Sequence, residues 1–212
     1  MRHVFAFVIA VFLAIPASAA QRTFVSYRGS DLNPCAVDSP CRSFAAAIAQ
    51  TNANGEVVAV DSAGYGPVTI TQAVTIVAPL GVHAGISVFS GDGVTINAGL
   101  NDVVVLRNLY INSQGGVNGV TLSVAAALHI EHCVVSGFSA NDINLLSATK
   151  VEINDTIVRH AGASGIYANG PTGLQVSIDL CRIESNHVGV LVDQGVVSIG
   201  NSTLDNNALK AV

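Results

Sequence analysis

From Val104 onward, apolar and polar residues alternate in short bursts, and the bursts recur. Leu128-His129-Ile130-Glu131-His132-Cys133-Val134-Val135 aligns with Val151 to Val158, with Val176 to Ile183 and with Val197 to Leu204. Successive starts lie 23, 25 and 21 residues apart, and Val104 to Ile111 fits the same frame 24 residues earlier. A second segment drifts in phase with the first: Val120-Thr121-Leu122, Ile143-Asn144-Leu145, Ile166-Tyr167-Ala168 and Val190-Leu191-Val192. Alternation with period two, bounded by Gly, Asn, Ser and Asp, predicts strands of three to five residues. A unit this small cannot bury its own apolar face, so successive units must stack. Like strands then pair in parallel at ~4.8 Å spacing. The expected architecture is all-β, a parallel β-helix with coils of about 23 residues. A leucine-rich repeat would need Leu-x-x-Leu-x-Leu, and a transmembrane barrel ~10-residue strands; neither pattern is present.

Two positions break the alternation. His132, Asp155, Leu180 and Asn201 stand where the chain must bend, and Asn and Asp tolerate the left-handed backbone of such a corner. Leu180 fits that explanation poorly. The next residues, Cys133, Thr156, Cys181 and Ser202, are small and are expected to line one inward stack. Cys133 and Cys181 would be two coils apart, roughly 9.6 Å, too far for a bridge that needs Cα atoms within ~7 Å. They are therefore read as buried free thiols.

The beginning of the chain is different. A basic start at Arg2-His3, an apolar run from Val4 to Ile15, Pro16 and the small residues Ala17-Ser18-Ala19-Ala20 read as a signal peptide over residues 1–20. The run is too short to span a bilayer, which takes ~20 apolar residues, so no stable membrane insertion is expected and the chain is placed outside the cell or in the periplasm. Residues 21–55 read as an N-terminal cap. In it Cys35 and Cys41 form a disulfide loop, suited to an oxidising compartment. Arg42 to Gln50 is a helix that buries Phe44, Ala47 and Ile48, with Ser39-Pro40 as its start signal. Residues 56–212 are expected to form the β-helix, ending without a C-terminal cap. Strands are expected at Val57–Val60, Val68–Ile70 and Val74–Val77, while residues 78–103 keep no clear frame.

Composition narrows the function classes. Half of the 212 residues are hydrophobic and only 11% are charged, which excludes a disordered chain. Nine basic against 14 acidic residues, a formal charge of −5, give no footprint for nucleic acid. No Cys or His spacing suggests a metal site or other cofactor.

The opening Asn33-Pro34-Cys35 to Pro40-Cys41-Arg42-Ser43-Phe44, and Val57 to Val77 with Asp61-Ser62-Ala63-Gly64-Tyr65-Gly66-Pro67-Val68-Thr69-Ile70, resemble a group of bacterial secreted proteins in the right-handed parallel β-helix, or pectin-lyase-like, superfamily. The resemblance covers essentially the whole mature chain. That superfamily includes polysaccharide lyases, glycoside hydrolases, phage tailspikes and adhesins, so fold alone does not select an activity. The clustered aspartates, Gly-His-Gly and Arg-x-Lys of its pectin-degrading hydrolases are absent, as is a lyase's set of calcium-binding aspartates.

Strand alternation identifies the outward residues. One face presents Thr121, Asn144, Tyr167 and Leu191, then Ser123, Leu146, Asn169 and Asp193; Tyr167, Asn144, Asn169 and Asp193 are its candidate binding residues. Another presents His129, Glu152, Ser177 and Ser198 beside Arg107, Glu131, Asn154, Asp179 and Gly200. There Glu131 and Asp179 are the candidate catalytic carboxylates. At roughly 9.6 Å between backbones they stand at the edge of the ~6.5–9.5 Å separation of inverting glycosidases, with Arg107 to hold an acidic sugar. The simpler reading is a surface ladder, Arg107 with Glu131 and His129 with Glu152, since opposite charges on neighbouring strands need no function to explain them. The expected role is non-enzymatic binding or structure, towards extracellular polysaccharide or cell-surface material. The alternative is a polysaccharide lyase or glycoside hydrolase.

Overall fold

The computed structural model describes residues 20–148 and 150–209. The segment read as a signal peptide lies outside them, apart from Ala20. The chain winds into a parallel β-solenoid of three sheets with eight, seven and six strands. One turn runs through Ala127–Glu131 of the eight-stranded sheet, Val134–Ser136 of the seven-stranded sheet and Ile143–Leu145 of the six-stranded sheet, then returns to the first sheet at Lys150–Asn154.

The pairing follows the two sequence frames residue for residue. Val104 pairs with Leu128, Leu128 with Val151, Val151 with Val176 and Val176 with Val197. In the six-stranded sheet Val120, Ile143, Ile166 and Val190 form one row. Alternate residues point inward, so that Leu106, Ile130, Ile153, Ile178 and Ile199 stack in a single column. The first four are buried; Ile199, in the last turn, is only partly covered. Residues 78–103 also join the solenoid, through Ala84–Val88 and Val94–Asn97.

The corner after the eight-stranded sheet is left-handed in five consecutive turns: φ is 57° at Asn108, 54° at His132, 44° at Asp155, 54° at Leu180 and 43° at Asn201. Leu180 adopts it without the side-chain polarity that eases the conformation in Asn and Asp, and with its side chain exposed. Leu180→Asn is therefore expected to stabilise the fold by about 1 kcal/mol, since left-handed backbone costs a branched residue ~1–2 kcal/mol and little packing is lost from a side chain that is 55% exposed. Equilibrium urea unfolding measures this; an unchanged or lower midpoint would show that the corner is unstrained.

Behind the corner lies the stack of small residues. Thr156 Oγ1 accepts from the Cys133 amide (3.2 Å) and donates to the Asn154 carbonyl (2.9 Å). Ser202 Oγ makes the same pair of bonds to the Cys181 amide (3.0 Å) and the Gly200 carbonyl (2.6 Å). Cys133 and Cys181 are free and buried, and burial pushes the Cys133 thiol up to about 12.

A second interior column precedes the six-stranded sheet: Gly93, Gly119, Asp142, Gly165 and Gly189, each one residue before the inward row. The corner facing it, after the seven-stranded sheet, is also left-handed, at Gly137, His160, Ser185 and Asn206. It is followed by Phe138, Ala161, Asn186 and Asn207, all buried.

At the N-terminal end, Ala20–Val25 pairs with Thr51–Ala59 in the eight-stranded sheet. Between them Cys35 and Cys41 are bridged, with Cα atoms 4.6 Å apart. The helix is Phe44–Ala49 and buries Phe44, Ala47 and Ile48 against the neighbouring strands. Its N-cap is Ser43, whose side chain accepts from the Ala46 amide at 3.2 Å, and not Ser39-Pro40. Ser39 and Cys41 are held in bridges to Ala36 and Val25, so helical backbone begins only beyond the disulfide loop. Among the described residues no helix is long and apolar enough to cross a membrane.

Candidate functional site

The outer face of the eight-stranded sheet carries the densest set of charged side chains, in two columns set by strand alternation. His129, Glu152 and Ser177 are lateral neighbours in one; Arg107, Glu131, Asn154 and Asp179 in the other. All of these except Arg107, together with His132, line an open cleft of about 290 Å³. Glu131 and Asp179 thus stand in one column with Asn154 between them, at roughly 9.6 Å between backbones.

Each charged group has a partner. Arg107 Nε donates to Glu131 Oε2 at 2.7 Å, and that hydrogen bond pushes the guanidinium further up from its ordinary value. Glu152 is shared by Lys150 Nζ (2.5 Å) and His129 Nδ1 (2.8 Å). The hydrogen bond from Lys150 is the main cause that holds the Glu152 carboxyl below the usual range; slight burial opposes it and His129 adds to it. Asp179 Oδ1 accepts from the Asn201 amide at 2.9 Å. His132 Nε2 stands 3.3 Å from Asp155 Oδ2 across two consecutive corners. These pairs are part-exposed, and such pairs contribute ~0–1 kcal/mol each.

The arrangement is a ladder of alternating donors and acceptors along a flat sheet. A glycosidase acid needs a carboxyl free to reach the leaving oxygen. Glu131 spends an oxygen on Arg107, and Asp179 one on Asn201. The cleft also offers a row of polar groups, with Ser177 exposed and Asn154 half-buried between charges, suited to hydrogen-bonding a hydroxyl-rich ligand.

The other candidate residues lie on a different face, that of the six-stranded sheet. Asn144 and Tyr167 are register neighbours, and the Tyr167 hydroxyl donates to Asp193 Oδ2 at 2.5 Å, a bond that raises the phenol's pKa. Asn169 pairs in register with Gln194. Thr121, expected to point outward, is covered: its hydroxyl donates to Asp92 Oδ2 at 2.5 Å and the side chain is buried. The loop before Val94 folds over it.

Sequence reasoning missed Lys150 and Asn201. Lys150 could have been found, because it stands two residues before Glu152 on one strand and so shares its face. Asn201 could not, because its reach to Asp179 depends on the corner between turns. Among the described residues, no group of three or more His, Cys, Asp or Glu side chains is placed to hold a metal ion.

The chain matches no protein-family model, no curated protein and no solved structure.

Proposed function

We propose that this chain is a non-enzymatic binding scaffold outside the cell or in the periplasm, and that it holds polysaccharide along the outer face of its eight-stranded sheet. The observation that carries this reading is the engagement of both candidate carboxylates, Glu131 by Arg107 and Asp179 by Asn201, in a cleft that is otherwise a polar ladder. The signal-like residues 1–20 and the Cys35–Cys41 bridge support the extracellular setting. The motifs at Asn33 to Phe44 and Val57 to Val77 support kinship with the pectin-lyase-like superfamily.

A second reading, a carbohydrate-active enzyme cutting an acidic polymer, is favoured by one observation: Glu131 and Asp179 share a column in the same cleft. The two separate in one experiment. The purified chain is titrated with pectin, alginate and a neutral glucan by calorimetry, and each mixture is assayed for new reducing ends and unsaturated products. Binding without turnover is expected, with Glu131→Gln and Asp179→Asn each weakening it about 2- to 10-fold, the worth of one hydrogen bond. Turnover abolished by those substitutions would establish the enzyme. Failure to bind any polymer would remove the scaffold reading.

A further inference from the structure

At four successive levels of the solenoid, from Gly119 to Gly189, the corner between the seven- and six-stranded sheets is filled by one interior side chain, supplied from either of two columns. Where the corner column supplies it, the facing residue is glycine. A Cβ on Gly119 would come within 3.0 Å of the Phe138 ring, one on Gly165 within 2.7 Å of the Asn186 amide, and one on Gly189 within 3.0 Å of the Asn207 amide. In the remaining turn the corner holds the small Ala161, and the glycine column supplies Asp142, which is fully buried.

Asp142 thereby takes an asparagine's place. Three consecutive corner amides are satisfied in the same way: Phe138 donates to Asp142 Oδ1 (3.2 Å), Ala161 to Asn186 Oδ1 (2.9 Å) and Asn186 to Asn207 Oδ1 (3.0 Å). The two asparagines use their other atom as a donor, Asn186 Nδ2 to the Val158 carbonyl (3.3 Å) and Asn207 Nδ2 to the Ile183 carbonyl (2.9 Å). Asp142 Oδ2, the atom that corresponds to those donors, is buried and makes no hydrogen bond. The carbonyl in register with Val158 and Ile183 is that of Val135. An ionised carboxylate there would be doubly mismatched, uncompensated in charge and presenting an acceptor where its counterparts donate.

We propose that Asp142 is held in the folded chain as the neutral acid, its Oδ2 carrying the proton as an asparagine carries its amide hydrogens, and that this makes the solenoid a pH-sensitive structure. Burial is the main cause that pushes the carboxyl up, to about 8, and the main-chain N–H of Phe138, which is hydrogen-bonded to it, and that of Arg159 nearby only partly oppose this. No charged side chain answers it. The strands Val120–Val124, Val134–Ser136, Ile143–Leu145 and Ser164–Asn169 contain no ionisable residue except Tyr167, which points outward. Ile157–Arg159 brings Arg159, whose guanidinium is directed towards Glu184 at 4.0 Å, and the adjoining corner brings His160, which is exposed.

The sign follows from proton counting. An unfolded Asp ionises near ~3.9, while the folded chain keeps the proton to higher pH. Stability from this group is therefore full below the unfolded value and falls as pH rises, by about tenfold in the folding constant per pH unit, until the folded value is passed. The test compares urea unfolding of the full chain with that of Asp142→Asn from pH 5 to pH 8. The ratio of the two unfolding constants is expected to grow about tenfold per pH unit, with the asparagine variant the more stable at neutral pH. Parallel curves would overturn the proposal. Because the variant could fail to fold, the Asp142 Cγ resonance of the wild-type chain is followed by carbon NMR over the same range. A carboxylic-acid shift at pH 6 that titrates upward supports the proposal, and a carboxylate shift at pH 6 overturns it.

Discussion

Gly119→Ala is expected to destabilise the solenoid by about 3 kcal/mol, the upper end of ordinary overpacking. The added Cβ would overlap the Asp142 carbonyl oxygen and the Val135 side chain, and would press on the Phe138 ring. Two of these cannot move aside cheaply. The Asp142 carbonyl accepts the Val120 amide at 2.9 Å within the ladder between turns, and Val135 is part of the closed core. Relief would require separating one turn from the next. Gly173→Ala is the internal control: nothing lies within 4 Å of a Cβ there, and the change is expected to stay within ~0.5 kcal/mol. Urea midpoints of the two variants measure the difference, and equal effects would contradict the tight approach of turns at Gly119.

Ile130→Ala is expected to cost about 2–5 kcal/mol, the range for emptying a buried aliphatic site. Ile130 is fully buried, with Leu106 below and Ile153 above in the same column. Neighbours locked in parallel strands cannot collapse into the void. Ile199→Ala, one end of the same column, is expected to cost only about 1–2 kcal/mol, because part of that side chain already meets solvent. Denaturant unfolding of both variants tests the gradient. A larger loss at Ile199 than at Ile130 would mean that the column is not the continuous core described.

The solenoid was legible because Val and Ile recur at a fixed phase after Val104. The frame joining Leu128, Val151, Val176 and Val197 needed nothing beyond period-two alternation. The same logic failed over residues 78–103. From Val57 to its partner Ile76 the chain advances 19 residues, but from Ile76 to Leu106 it advances 30. The excess is held in turns whose exposed tips are Leu80, Phe89 and Leu100. Loops of free length erase a period without disturbing the strands.

The candidate site was legible in its pairs and not in its detail. Arg107 with Glu131 and His129 with Glu152 follow from register alone, and both contacts form. Thr121 was misplaced because alternation gives the direction of a side chain, not whether a loop covers it. Asp142 escaped notice for a related reason. Asn and Asp between strands were read as turn formers, and some of them, Asn108 and Asp155 among them, are corner residues. Whether such a residue turns the backbone or fills the interior depends on a one-residue offset, and only the glycines opposite reveal it.

The spacing of partners along the chain has a consequence for how the molecule comes into being. Parallel sheets ordinarily demand long crossovers and slow searches. Here every strand from Ala127 on finds its neighbour 21 to 25 residues back, so each closure carries nearly the same modest entropic cost. A polypeptide emerging gradually from a ribosome or a narrow channel could wind on as it appears, the finished part serving as template for the part still arriving.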